Sequence, residues 1–114
     1  MIRNDIIRLH HMLDAAQEAV DLFRGRTRED LDGDRMLNLS LVRLLEIIGE
    51  AAKGVSPAFR DAHPDIPWKK MVGMRDRLIH GYFDVNLDIV KETVIEDLPP
   101  LVAQLEKIIA IGNR

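Results

Sequence analysis

Residues 34–54, DRMLNLSLVRLLEIIGEAAKG, decide the fold class. Leu37, Leu41, Leu44, Ile48 and Ala51 recur at the three- and four-residue spacing of one helix face, and Leu45 and Ile47 widen it. Asp34 stands where an N-terminal cap belongs and Gly54 where the helix stops. An apolar face this broad predicts burial on more than one side, and so a helix inside a bundle.

The flanking segments repeat the theme. Ile2, Ile6, Leu9, Leu13, Ala16, Val20 and Phe23 trace a narrower seam on an amphipathic first helix, with Gly25 just past its end. Thr27-Arg28-Glu29-Asp30 is a capping sequence for a short connecting turn, with Asp30 in place of the usual Glu. From Val55 to Pro67 the chain is loop-like, with Ser56-Pro57 starting one helical turn and Pro64 and Pro67 bracketing the approach to the next helix.

A third helix is predicted from Trp68 to about His80, ended by Gly81, with Gly73 inside it read as a point of close backbone approach. A fourth pattern starts near Asn86 (Leu87, Val90, Val94, Ile95, Leu98) and resumes after Pro99-Pro100 with Leu101, Val102, Leu105, Ile108 and Ile109. Two consecutive residues without an N–H donor break or kink it there. No strand or hairpin is expected. The reading is all-α: an antiparallel four-helix bundle with a kinked or split C-terminal helix, residues 1–114 forming one domain.

Bulk composition narrows the function. The 114 residues are 46% hydrophobic, which excludes disorder, and contain no cysteine, which fits a reducing cytoplasm and leaves no thiolate metal site. The start lacks the apolar core of a signal peptide, and no run approaches membrane-spanning length. A net charge of −3 predicts weak non-specific binding to nucleic acid. Any basic face is local, the best candidate being Lys69, Lys70, Arg75 and Arg77 opposed by Asp76.

The chemistry-bearing stretch is Arg75-Asp76-Arg77-Leu78-Ile79-His80-Gly81-Tyr82. Arg keeps its charge and His titrates near neutrality, so the pair can neutralise a phosphate and move a proton. On a continuous helix Asp76, four residues before His80, accepts the imidazole proton and sets its tautomer. The same residues also admit a structural reading: an exposed Arg, a His complementing a helix C-terminus, and a Tyr packed on the bundle.

Glu46 and Glu50 stand one turn apart and suit a hard cation or acid–base work, but Arg43 and Lys53 lie at salt-bridge spacing and favour a structural role, including support of the Arg75–His80 helix. His10 and His11 are adjacent and diverge, and His63 lies in a loop, so a metal site is disfavoured. The five Met and Trp68 read as core or interface.

Taken together, these residues resemble the HepT-like group of the HEPN superfamily, small helical proteins encoded beside a minimal nucleotidyltransferase as toxin–antitoxin pairs. The resemblance rests on Arg75, four residues, His80, any residue, Tyr82, preceded in order by Ile48-Gly49-Glu50-Ala51-Ala52-Lys53, Ser56-Pro57 and His63-Pro64-Asp65-Ile66-Pro67-Trp68. It implies a homodimeric, metal-independent endoribonuclease that needs no cofactor. Arg75 and His80 would be catalytic, with RNA as substrate. It also implies inactivation by transfer of AMP to Tyr82 from the nucleotidyltransferase antitoxin. The competing reading is a non-catalytic helical module that binds a nucleotide or docks a partner, with Arg75 holding a phosphate.

Overall fold

The computed structural model describes residues 3–80 and 84–112, apart from the side chain of His80. Helix α1 (Arg3–Phe23) leads through a short α2 (Arg28–Gly33) into α3 (Arg35–Lys53). Next come α4 (Pro57–Ala62), α5 (Trp68–Val72) and α6 (Met74–Leu78), then strands β1 (Ile79–His80) and β2 (Asp84–Val85). The chain closes with α7 (Leu87–Glu92), a π-helical stretch Thr93–Asp97, and α8 (Leu98–Gly112). The four predicted rods are present as α1, α3, α5–α6 and α7–α8, so the protein is an all-α bundle. No helix among the described residues is long and apolar enough to cross a membrane.

The bundle is organised around α3, which packs most extensively on α1 and also contacts α5, α6 and α7. Leu41, Leu45 and Ile48 are fully buried, as the broad apolar face required. Burying each such side chain is worth about 1.5–3 kcal/mol relative to exposure. The seam of α1 holds at Leu9, Ala16 and Phe23, and Met12, Ala15 and Ala19 extend the buried stripe beyond it. Leu98, Leu101 and Leu105 of α8 complete the core.

The predicted caps form. Thr27 and Asp30 make a full capping box, so the expected turn is a helix, α2. Asp34 Oδ1 accepts the Leu37 N–H at 3.1 Å and starts α3. A contact that the sequence did not announce fixes the N-terminus: buried Asp5 accepts both the Ser56 N–H (2.8 Å) and its hydroxyl (2.7 Å). The same hydroxyl oxygen accepts the Phe59 N–H and caps α4.

Three expectations change. The C-terminal discontinuity lies just before the prolines, not at them. An α-helix through Pro99 and Pro100 would drive their rings into the carbonyls four residues earlier. The π stretch absorbs that clash, with the Leu98 N–H bonding back to the Thr93 carbonyl, and the prolines then sit in the first turn of α8. The third rod is interrupted at Gly73, which caps α5 rather than admitting a neighbouring backbone; a Cβ there would meet only the Lys69 carbonyl of its own turn. Close approach occurs at Gly49 instead, where a Cβ would stand 2.8 Å from the Met71 carbonyl. Finally, the third rod ends at Leu78, and a small antiparallel ladder follows where no strand was expected.

Candidate functional site

The candidate site occupies the segment from α6 to β2. Met74 and Leu78 are fully buried and anchor α6 to the bundle, leaving Arg75 and Asp76 exposed on its outer surface. The helix ends because the Ile79 N–H turns back to the Arg75 carbonyl while Ile79 itself becomes extended. Ile79 pairs with Val85 and His80 with Asp84, and the Asn86 N–H closes the ladder on the Leu78 carbonyl at 2.7 Å. The Asn86 side chain then accepts from the N–H groups of Asp88 and Ile89 and starts α7. Ile79 and Val85 pack on the core, which fixes the register.

Asp76 lies on α6 and His80 on β1, past the helix end, so the two are not one turn apart on a single continuous helix. Tyr82, the candidate AMP acceptor, lies outside the described residues.

The local basic face is smaller than the sequence implies. Lys70 Nζ is 2.9 Å from Asp97 Oδ1, and Arg77 Nη1 lies 4.0 Å from the other oxygen of the same carboxylate. Asp97 is only 16% exposed, so these pairs are held at the seam between α5–α6 and the π stretch. Lys69 and Arg75 remain on the surface, opposed by Asp76. No local pattern announces this, because Asp97 lies far along the chain from Lys70 and Arg77.

Other candidates resolve as structural. Arg43 skips Glu46 and reaches Glu50 at 3.4 Å, both groups largely exposed, a pairing of small energetic weight. Gly49 is where α3 comes close to α5 and to the start of α6, a Cβ there standing 2.8 Å from the Met71 carbonyl oxygen and 3.3 Å from Met74 Cβ. His63 stacks on Phe59 with ring centroids 4.3 Å apart, and its carbonyl accepts the Trp68 indole N–H at 2.8 Å. Trp68 and the Met residues at 12, 71 and 74 are buried in the core, whereas Met36 is exposed. Among the described residues, no group of three or more His, Asp or Glu side chains is placed to hold a metal ion.

Concavities lined by described residues open beside α4 and α5. A cavity of about 540 Å³ between the loop after α4 and α8 is lined by Phe59, His63, Ile66, Gln104 and Lys107. An open groove of about 860 Å³ runs past Arg60, Trp68, Lys69 and Gly73.

Arg26 and Arg28 stitch the α2 region together. Arg26 bonds Asp34 (2.8 Å) and Asp30 (3.3 Å), and Arg28 bonds Asp88 at 2.7 Å. The Arg26 hydrogen bond, followed by the Leu37 N–H, holds the Asp34 carboxyl below its ordinary range. The Thr27 N–H is the main cause of the same effect at Asp30.

Fold and site together define a small helical domain that presents an exposed Arg one strand away from a His. The model of the family described as "Ribonuclease HepT-like" matches residues 12–108, and the chain belongs to that family. A protein named "Putative RNase TTE0752" from Caldanaerobacter subterraneus subsp. tengcongensis is 42% identical over 101 residues, covering 89% of this chain and 90% of that one. "Probable ribonuclease HepT" from Thermococcus cleftensis is 42% identical over 100 residues, covering 84% of this chain and 91% of that one. "Putative RNase MJ1380" from Methanocaldococcus jannaschii is 33% identical over 98 residues, covering 86% and 90%. No solved structure gives a significant match to the chain.

Proposed function

We propose that this protein is an endoribonuclease, active as a homodimer in the cytoplasm, and the toxin of a toxin–antitoxin pair of the type VII kind. The observation that carries the reading is the exposed Arg75 on α6 leading directly into the ladder that holds His80, in a chain of the ribonuclease HepT-like family. His80 takes the proton from a ribose 2′-hydroxyl or gives one to the departing 5′-oxygen. The 2′-oxygen then bonds to phosphorus as the P–O5′ bond breaks, leaving a cyclic phosphate and a free 5′-hydroxyl. Arg75 offsets the charge that builds on the phosphorus oxygens. The reaction proceeds without a metal ion.

Arg75 is exposed on α6 and accessible to a cleft shared between two copies. Exposed Met36 and Leu39 on the outer face of α3 offer apolar surface for that second copy. Tyr82 is the acceptor of AMP from a cognate minimal nucleotidyltransferase: its phenolic oxygen displaces pyrophosphate from ATP. The added phosphate repels RNA from the cleft by the logic of phosphorylation. Residues 1–114 act as one unit.

The test is cleavage of RNA by the purified protein in the presence of EDTA. Arg75→Ala and His80→Ala should each lower the rate by about 10²- to 10⁴-fold with unchanged helical circular dichroism. Undiminished cleavage by both variants would overturn the assignment. The non-catalytic module has one observation in its favour, the pairing of Lys70 with Asp97, whose second oxygen lies 4.0 Å from Arg77, which reduces the local positive charge. Tight binding of ATP or of the partner without any RNA cleavage by the wild type would establish it.

A further inference from the structure

The open groove beside α5 continues into a second one of about 680 Å³, the two sharing walls at Trp68, Lys69 and Gly73. Together they form a trough that runs from Arg60 on α4, across α5, to Arg77 on α6. Gly73 stands where α5 gives way to α6, so no side chain divides the two halves there. Pro57, Pro64 and Val72 give one half an apolar wall. The Trp68 ring belongs to that wall, only 9% exposed and pinned by its bond to the His63 carbonyl.

Arg60, Lys69, Lys70 and Arg77 line the trough along its length. Two carboxylates oppose them: Asp61 in the lining, and Asp97 behind Lys70 and Arg77. Arg60 and Lys69 form no ion pair among the described residues. Lys69 is exposed; Arg60 is half-buried, with its Nε buried and lacking a hydrogen-bond partner. Neither charge is neutralised internally. A chain of net charge −3 that is to meet a polyanion needs a local attractive path, because its overall field is repulsive. Cations at both ends and in the middle suit a repeating anion, since a single small one would leave most of them unused.

We infer that this trough binds the phosphate backbone of single-stranded RNA on either side of Lys69, outside the site of cleavage. Phosphates lie on the cations, and sugars and base edges on the apolar wall. The inference rests on the ribonuclease reading for the identity of the polyanion. None of the trough residues touches the reacting atoms. Arg75 and Arg77 share α6 but point about 200° apart around it. RNA leaving the trough therefore reaches Arg75 by crossing one helix, about 10–12 Å with its side chains. The trough acts on affinity for RNA long enough to span that distance, and does nothing for a dinucleotide.

The experiment measures binding of a labelled 2′-O-methyl RNA of about 15 nucleotides, whose blocked 2′-oxygen prevents the proposed cleavage. Lys69→Gln and Arg60→Gln should each weaken its binding to the full-length protein about fivefold at about 0.1 M salt, whatever its sequence. Each should also make the slope of log affinity against log salt shallower by about 0.7. Asp61→Asn should tighten binding. In the cleavage assay the Lys69 and Arg60 variants should raise KM for long RNA, keep kcat, and cleave a dinucleotide like the wild type. Should Arg60→Gln fail to fold, the exposed Lys69→Glu asks the same question with a larger expected loss. Unchanged affinity and salt slope in Lys69→Gln and Lys69→Glu would overturn the inference. Loss of polyglutamate binding in these variants with RNA binding intact would also overturn it, in favour of an acidic protein segment. A wild type that binds RNA through the trough and cleaves none upholds the inference and discards the ribonuclease reading alone.

Discussion

The frame of the molecule and its candidate site are built in opposite ways. Helices α1, α3 and α8 run 21, 19 and 15 residues, with buried stripes that their own sequences announce. The segment bearing Arg75 and His80 consists of helices of 5 and 5 residues followed by a strand of 2. Isolated helices shorter than about 12–15 residues are marginal in water. α5 and α6 therefore persist only because Met71, Met74 and Leu78 are fully buried, beside a point where Gly49 lets α3 come close. The frame is stable through its own periodicity; the site is stable through what it touches. A site held in this way can be moved by a change in the scaffold that leaves the scaffold standing.

Substitutions of graded severity separate the two regions. The largest effect is expected from Leu45→Ala in the frame, a fully buried side chain on α3. It should cost about 2–5 kcal/mol of global stability, read as a lower midpoint in urea with one cooperative transition. A loss confined to α5–α6 would show that the frame is less of a unit than its packing indicates.

Gly49→Ala should cost less, about 1–3 kcal/mol, because the new Cβ meets the Met71 backbone rather than a yielding side chain. Its signature is regional: amide exchange should accelerate in α5 and α6 while α1 and α8 keep their protection. Uniform acceleration would erase the distinction between frame and site.

The smallest effect concerns the α2 region. The Asp34 carboxyl titrates lower in the folded protein than in the unfolded chain, first through Arg26 and then through the Leu37 N–H. A depressed carboxylate contributes stability that is present above the unfolded value and lost as pH falls through the folded one. Asp34→Asn should therefore lower stability modestly at pH 7 and flatten part of the acid limb, the difference from the wild type closing as pH falls below about 4. An unchanged acid limb would mean that Asp34 serves only as a cap.

The contrast also explains what could be read in advance. The long helices were legible because a buried stripe repeats every turn, and the caps at Thr27 and Asp34 because a side-chain oxygen and a helix N-terminus lie within three residues of one another. The Asp5–Ser56 tie and the capture of Lys70 and Arg77 by Asp97 were not legible, since each joins residues far apart in sequence. The extension of Trp68 to His80 as one helix failed for a related reason. Its apolar pattern is that of a helix, but Gly73 interrupts the rod and pairing with Asp84–Val85 draws its end into a ladder.

By itself the sequence determined the class of the fold and the family, because periodicity and motif order are carried within single segments. Only the tertiary structure decided that His80 sits on a strand opposite Asp84, that Gly49 makes room for the site helices, and which cations remain unneutralised. Each of those depends on two distant segments meeting, and a pairing of that kind leaves no periodic trace in either one.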